Sequence, residues 1–251
     1  MVRKSNLEVA GRVALVTAAT SLLGRAAAVK VAPQVEAVAI HFHRQKKAAI
    51  EIAKEIRKQG RQAKVFGTDL SLPGEPTTLV RQVERIFGRV DILVNNFGPF
   101  LEHPWKETTA EEWLNLYRDN VGVALELIKA VLPGMRSRGW GRIINFGFHR
   151  AGQMTAFPRI LAYAAAKTAL LLLTRTAAQS EAPFGITVNM VSPGLVEGGE
   201  LPHSLKEEGG AEVARVSGKP ADVAEAVVFL ASDKAAAITG VNLIVAGTWK
   251  M

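Results

Sequence analysis

The chain has 251 residues, 48% of them hydrophobic, with no cysteine and a net charge of +8 from 31 Lys and Arg against 23 Asp and Glu. The length suits one continuous α/β sheet, and the lack of cysteine excludes disulfides and thiolate metal sites, which fits a reducing compartment. Met1 to Ala10 is polar and mixed in charge, unlike a secretory leader, and the longest aliphatic stretch, Ala169 to Leu173, is far too short to span a bilayer. A soluble, cytoplasmic protein with no membrane partner and no bound metal is expected. The basic residues are scattered with acids interleaved, as in Lys46 to Arg61 with Glu51 and Glu55. That pattern points away from nucleic acid and toward an anionic small molecule.

Short apolar runs alternate with longer helical stretches. The first strand is expected over Arg12 to Thr17, followed by a helix over Leu22 to Ala32. Val35 to Phe42 and a helix over Lys46 to Gln59 come next, then Gln62 to Phe66 and Thr77 to Phe87. The fourth strand is Asp91 to Val94, with a long helix over Ala110 to Leu132. Arg142 to Phe146 precedes a helix over Leu161 to Ser180, Thr187 to Val191 follows, and Ala221 to Ala231 leads to a last strand, Val241 to Val245. The strands are apolar almost throughout, as expected when both faces are covered. This order predicts a single Rossmann-type α/β domain over 1–251: a doubly wound, seven-stranded parallel sheet with helices on both faces. The Gly- and Glu-rich stretch of about 196–218 has no clear element and reads as a substrate lid or as an ordinary surface loop.

The first strand runs into Ala18-Ala19-Thr20-Ser21-Leu22-Leu23-Gly24, where a turn before a helix lets backbone N–H groups face a pyrophosphate. Of the three glycines such a turn usually carries, only Gly24 is present, with Ala18 and Leu22 in the other places. After the second strand comes His41-Phe42-His43-Arg44-Gln45-Lys46-Lys47, with cations and no acid. An acid there would accept from a ribose 2′-hydroxyl, whereas His43 and the forked Arg44 suit a 2′-phosphate, which favours NADP(H) with NAD(H) as the alternative. Asp69 and Asn95, at the ends of the third and fourth strands, are candidates for adenine and for ribose or backbone. Turn chemistry and helix capping explain them equally well.

Tyr163-Ala-Ala-Ala-Lys167 puts a phenol and an ammonium on one helix face. A nearby ammonium favours phenolate and lowers the phenol pKa, which makes a usable general acid or base.

These landmarks in their order resemble the short-chain dehydrogenase/reductase family of the classical type. They are Asp69-Leu70, Asn95-Asn96-Phe97-Gly98, Asn120, the Tyr163/Lys167 pair, Asn189 with Pro193-Gly194, and Ser232-Asp233 through Ile238-Thr239-Gly240. His41 to Arg44 and the non-glycine at position 22 look most like the pteridine reductase branch, which uses NADPH. The resemblance implies an NAD(P)(H)-dependent oxidoreductase with Tyr163, Lys167 and Asn120 as catalytic residues, Tyr163 moving the proton and Asn120 holding a relay water. It also implies cofactor contacts from Thr17, Leu22, Leu23, Leu70, Phe97, Gly98, Tyr163, Lys167, Pro193, Gly194 and Val196. The partners implied are a small-molecule substrate and a second copy of the chain, in a homodimer or homotetramer.

The chain departs from the family pattern in several places. The serine that usually meets the substrate carbonyl is replaced by Phe148 or His149, depending on where the count begins. Gly198 stands for a usual threonine, and Phe97 is bulkier than the usual alanine. These departures motivate an alternative reading, a catalytically impaired member acting as a nucleotide-binding or scaffold protein.

Overall fold

The structure, a computed structural model, describes residues 11–199 and 218–247. Seven strands form one sheet: β1 (Val13–Val16), β2 (Ala37–Phe42), β3 (Gln62–Gly67), β4 (Ile92–Asn95), β5 (Gly141–Phe146), β6 (Ile186–Pro193) and β7 (Asn242–Val245). Their order is β3-β2-β1-β4-β5-β6-β7, and every neighbouring pair is parallel. Parallel strands need crossover helices, which cover both faces and explain the uninterrupted apolar runs. Alternate residues of β1 enter opposite layers. Ala14 and Val16 pack with Ala27, Val31, Ile52 and Val227, whereas Val13 and Leu15 pack with Leu79, Val83 and Leu127.

The first layer holds helices α1 (Leu22–Val31), α2 (Lys46–Lys58) and α7 (Pro220–Ala231); the second holds α3 (Glu75–Phe87), α5 (Val123–Arg138) and α6 (Leu161–Glu181). Strand order reverses between β1 and β4, so loops from both halves of the sheet diverge there and leave a crevice at the strand C-termini.

The helix expected over Ala110 to Leu132 is in fact three pieces. Helix α4 (Ala110–Tyr117) opens on a capping box of Thr109 and Glu112, a π-helical segment spans Arg118–Gly122, and α5 runs on through Pro133 to Arg138. The apolar period is similar through a single π turn, so hydrophobic spacing cannot reveal it. Asn120 sits in that turn, and its side-chain amide donates to the carbonyl of Leu116 at 3.0 Å. The stretch of about 196–218, expected to be a lid or a surface loop, leaves β6 and returns to α7. Val196 and Gly218 form a parallel bridge that brings the two ends of the segment together, and residues 200–217 lie outside the described residues.

The opposite edge of the sheet is tied by a buried carboxylate. Asp91 accepts from the Val13 N–H at 2.9 Å, from Arg89 at 2.7 Å through both oxygens and from Arg138 Nε at 3.0 Å. Its own N–H donates to Val13, and its carbonyl accepts from Arg142. One side chain therefore joins β1, β4 and α5. Removing it leaves a buried backbone donor and two arginines without their partner, and Asp91→Ala is expected to cost about 3–5 kcal/mol. Urea unfolding followed by circular dichroism measures it.

Candidate active site

A cavity of about 1150 Å³ opens at the C-terminal edge of the sheet, and three parts of its wall carry most of the candidate residues.

The first is the turn from β1 into α1. Ala18 adopts φ 45°, a left-handed conformation that costs a side chain bearing Cβ of order 1 kcal/mol. Its surroundings hold it there. The Ala18 N–H donates to His41 Nδ1 at 3.0 Å, the Ala19 N–H donates to the His41 carbonyl at 2.9 Å, and Asn96 Nδ2 donates to the Ala18 carbonyl at 3.1 Å. His41 is buried and its Nε2 lies 3.1 Å from the Thr68 carbonyl, an acceptor, so the ring is the neutral tautomer with its proton on Nε2. Burial pulls its pKa down to about 4. Ser21 caps α1 by accepting from Gly24 N–H at 3.2 Å, and it also accepts from Asn96 Nδ2 at 2.9 Å. At Gly24 a Cβ would lie 2.3 Å from the Ala18 carbonyl oxygen and 2.7 Å from Asn96 Nδ2. The one surviving glycine is therefore the one that close packing requires. Ala18, Ser21, Leu22 and Leu23 line the cavity at the N-terminus of α1. Leu22 does not stand alone: its methyl groups lie 3.8–3.9 Å from where a Cβ of Gly198 would be. The large residue at 22 and the small one at 198 are neighbours.

The second stretch follows β2 and β3. His43 and Arg44 are exposed on the cavity wall beside Asp69. Asp69 Oδ1 accepts from the Ser71 hydroxyl at 2.7 Å and from the Ser71 N–H at 3.1 Å, while Oδ2 lies 3.6 Å from His43 Nε2. Hydrogen bonds from Ser71 hold this carboxyl below its usual range, with His43 and Arg44 adding to the effect.

The third stretch carries Tyr163 and Lys167. One turn of α6 separates them and leaves the ammonium 5.7 Å from the Tyr163 ring centroid. Lys167 is buried and donates to the Phe146 carbonyl at 2.8 Å. Burial lowers its pKa to about 8. Tyr163 packs edge-on against Phe100 at 5.0 Å and against Phe148 at 5.5 Å between centroids. Its burial raises the phenol pKa above the ordinary value, the opposite of the lowering expected from Lys167. The reason is that desolvation by the aromatic wall outweighs an ammonium directed at the Phe146 carbonyl. Under Tyr163 and Lys167, Gly98 has φ 151°, and a Cβ there would fall 2.3 Å from Asn120 Oδ1 and 3.2 Å from Lys167 Nζ. Asn120 is fully buried, its Nδ2 donates to the carbonyls of Pro99 and Leu116, and its Oδ1 has no protein hydrogen-bond partner.

Most of the residues singled out in the sequence meet on one wall. Leu22, Leu23, His43, Arg44, Asp69, Phe97 and Gly98 line the cavity with Tyr163, Lys167, Pro193, Gly194 and Val196. Four others are buried behind it. Thr17 accepts from the N–H groups of Asn96 and Phe97 at 3.0 Å each and supports the wall without forming it. Leu70 is core, and Asn120 lies under Gly98. Asn95 donates to Asn145 on β5 at 2.9 Å, because it is still paired within the sheet. The backbone-holding role expected at Asn95 belongs to Asn96, the first residue past the strand. Ser21 and His41 were not singled out. The signal for Ser21 is a capping serine three residues before Gly24, and for His41 a lone polar residue inside a wholly buried strand. Both residues proposed for the carbonyl-facing position line the cavity, and Phe148 is the one whose ring meets Tyr163, tilted by 57°.

A family model described as enoyl-(acyl carrier protein) reductase matches residues 17–248. The 3-oxoacyl-[acyl-carrier-protein] reductase FabG of Vibrio cholerae is 35% identical over 251 residues, covering 96% of this chain and 98% of the relative. The chain belongs to the short-chain dehydrogenase/reductase family. Among solved family structures, a blue fluorescent protein from a metagenomic library in complex with NADPH superposes with a TM-score of 0.87 at 31% identity, covering 96% of this chain and 98% of the other. An NAD+-bound xylitol dehydrogenase gives 0.83 at 27% identity, covering 94% and 98%. The narrower likeness to pteridine reductases finds no support in these matches.

His41 makes the cofactor-side turn sensitive to acid. Its folded pKa of about 4 lies below the unfolded value of 6.5, so below pH 6.5 the unfolded chain binds the extra proton. Stability contributed by neutral His41 is complete above pH 6.5 and is lost as pH falls toward 4. By pH 5 the loss is about 2 kcal/mol, to be read from urea midpoints at pH 7 and pH 5. In His41→Gln, which has no group titrating in this range, that slope is expected to flatten.

Proposed function

We propose that this oxidoreductase is an NADP(H)-dependent reductase of a small-molecule carbonyl, with Tyr163 as the proton donor. The observation that carries the reading is the continuity of one cavity from Ser21 and Arg44 at one end to Tyr163 and Lys167 at the other. Such a length suits an extended dinucleotide with its pyrophosphate at the N-terminus of α1. When bound, the cofactor supplies the hydride. His43 and Arg44 would hold a 2′-phosphate, and the absence of an acid at the end of β2 favours NADP(H) over NAD(H). Asp69 would accept from the adenine end, and Phe97, Gly98, Pro193, Gly194 and Val196 would form walls along the cofactor.

Tyr163, with its pKa raised by burial, is a protonated acid at neutral pH, which suits donation to the oxygen of a carbonyl being reduced. Lys167, partly neutralised as pH passes 8, would hold ribose and stabilise the phenolate left behind. Asn120, with its buried Oδ1 beside Gly98 and Lys167, is the group through which a relay water would resupply the proton.

Among the described residues no helix is long and apolar enough to cross a membrane, and we read the protein as cytoplasmic. Leu114 and Tyr117 on α4 and Leu172 on α6 are exposed apolar residues on helices packed together. They support a homodimer or homotetramer assembled on this face. Phe148, which has no donor for a carbonyl, favours the second reading of a nucleotide-binding protein without catalysis.

One experiment separates the two readings. Purified protein is titrated with NADPH and with NADH in a thermal-shift measurement, then assayed for NADPH oxidation on a panel of ketones and quinones alongside Tyr163→Phe. The reductase predicts a larger shift with NADPH and a loss of about a hundredfold or more in kcat for Tyr163→Phe. Equal activity in the variant removes Tyr163 from the mechanism. Binding without turnover of any substrate supports the non-catalytic reading, and no shift with either nucleotide overturns both.

A further inference from the structure

The end of the cavity beyond Tyr163 has an unusual wall. Phe100 and Phe148 both meet the Tyr163 ring, and Phe157 meets Phe148 edge-on at 5.7 Å between centroids. Phe100 is half exposed while lining the cavity, so its apolar surface is available to whatever enters. Aromatic edges and faces at these spacings favour a flat conjugated guest over a flexible chain.

The same wall carries two arginines in different states. Arg159 gives its Nε to Glu102 at 3.1 Å, so its charge is answered by a nearly buried carboxylate. Arg150 stacks over Phe157, 4.7 Å from the ring centroid, and its Nε donates to the neutral amide oxygen of Gln153 at 3.0 Å. Among the described residues no carboxylate pairs with Arg150. A guanidinium stacked on a ring keeps its edge for in-plane hydrogen bonds, and Phe157 with Gln153 fix its orientation before any ligand arrives. The two terminal nitrogens then present the fork that a carboxylate accepts in bidentate fashion.

Phe148 adds a reason for such distal recognition. Where it stands there is no hydroxyl to share the substrate carbonyl with Tyr163. Contacts remote from the reacting carbon can then help to orient it.

We propose that the reactive end of the cavity takes a planar aryl or conjugated ketone bearing a carboxylate, the ring among Phe100, Phe148 and Phe157 and the carboxylate on Arg150. This substrate class rests on the reading of the protein as a carbonyl reductase. In the reaction, hydride from NADPH adds to the carbonyl carbon and the phenol proton of Tyr163 passes to its oxygen. NADP+ and the secondary alcohol result, and the carboxylate is unchanged.

The test is NADPH oxidation on a series of acetyl-substituted benzoates and phenylacetates, each paired with its neutral methyl ester. 5-Oxohexanoate is the aliphatic control, and 9,10-phenanthrenequinone reports general reductase activity. At least one acid is expected to exceed its ester roughly tenfold in kcat/KM, and to exceed 5-oxohexanoate. That acid-over-ester ratio should collapse toward one in Arg150→Gln and persist in part in Arg150→Lys, with a thermal melt confirming that both variants fold. Turnover of the quinone without any acid preference overturns the substrate class and leaves the reductase standing. So does a ratio that survives in Arg150→Gln, or an aliphatic acid that matches the aryl acids. No turnover of any compound overturns both.

Discussion

Lys167 places an ammonium inside the protein, tied to the carbonyl of Phe146 at 2.8 Å, and much of the site is arranged around it. Charge in such a place is costly unless hydrogen-bonded, and its pKa of about 8 is the measure of that cost. The carbonyl it uses belongs to the last residue of β5, so the sheet itself fixes the position of the charge. Helix α6 then sets Tyr163 one turn away, and Gly98 clears the space in which Asn120 approaches from the π turn. A side chain at 98 would collide with Asn120 and crowd Lys167. The three residues are thus brought together by a strand end, a helix repeat and a missing Cβ.

At the other end of the cavity the problem is different. A turn that usually relies on glycine here carries Ala18 in a left-handed conformation. The compensation is polar and comes from two neighbouring strands: His41 at the end of β2 and Asn96 past the end of β4 both bond its backbone. These two hydrogen bonds, worth of order 1 kcal/mol each, offset a strain of similar unit size. The turn from β1 into α1 lacks the usual glycines and is held in its conformation by these bonds. Leu22, which stands in one of the places such a turn usually gives to glycine, lies against Gly198 and Gly199 at the start of the segment that leads away from β6.

The fold was legible because buried parallel strands carry their signature in consecutive residues, as in Val13–Val16 and Ala37–Phe42. The Tyr163/Lys167 pair was legible from helical spacing. What was hidden depended on direction instead of composition. The sequence does not say that Asn95 is still inside the sheet while Asn96 has left it, since one residue of strand length reverses the two roles. Nor does it announce the π turn at Asn120, because spacing of apolar residues is blind to one extra residue per turn. The sign of the Tyr163 shift was also hidden. Proximity of a lysine suggested a lowered pKa, and only the packing of Phe100 and Phe148 shows that desolvation prevails. The aromatic wall itself comes from residues spread from 100 to 163, which no local pattern joins.

A buried, carbonyl-bound ammonium at position 167 organises the reactive end. Its direct measurement is the titration of the Lys167 side chain by heteronuclear NMR on selectively labelled protein, assigned with Lys167→Met. A midpoint near pH 8 is expected, well below the 10.5 of a free lysine. A midpoint at the ordinary lysine value would contradict it, because an ammonium that keeps its solution pKa is not held in the site described.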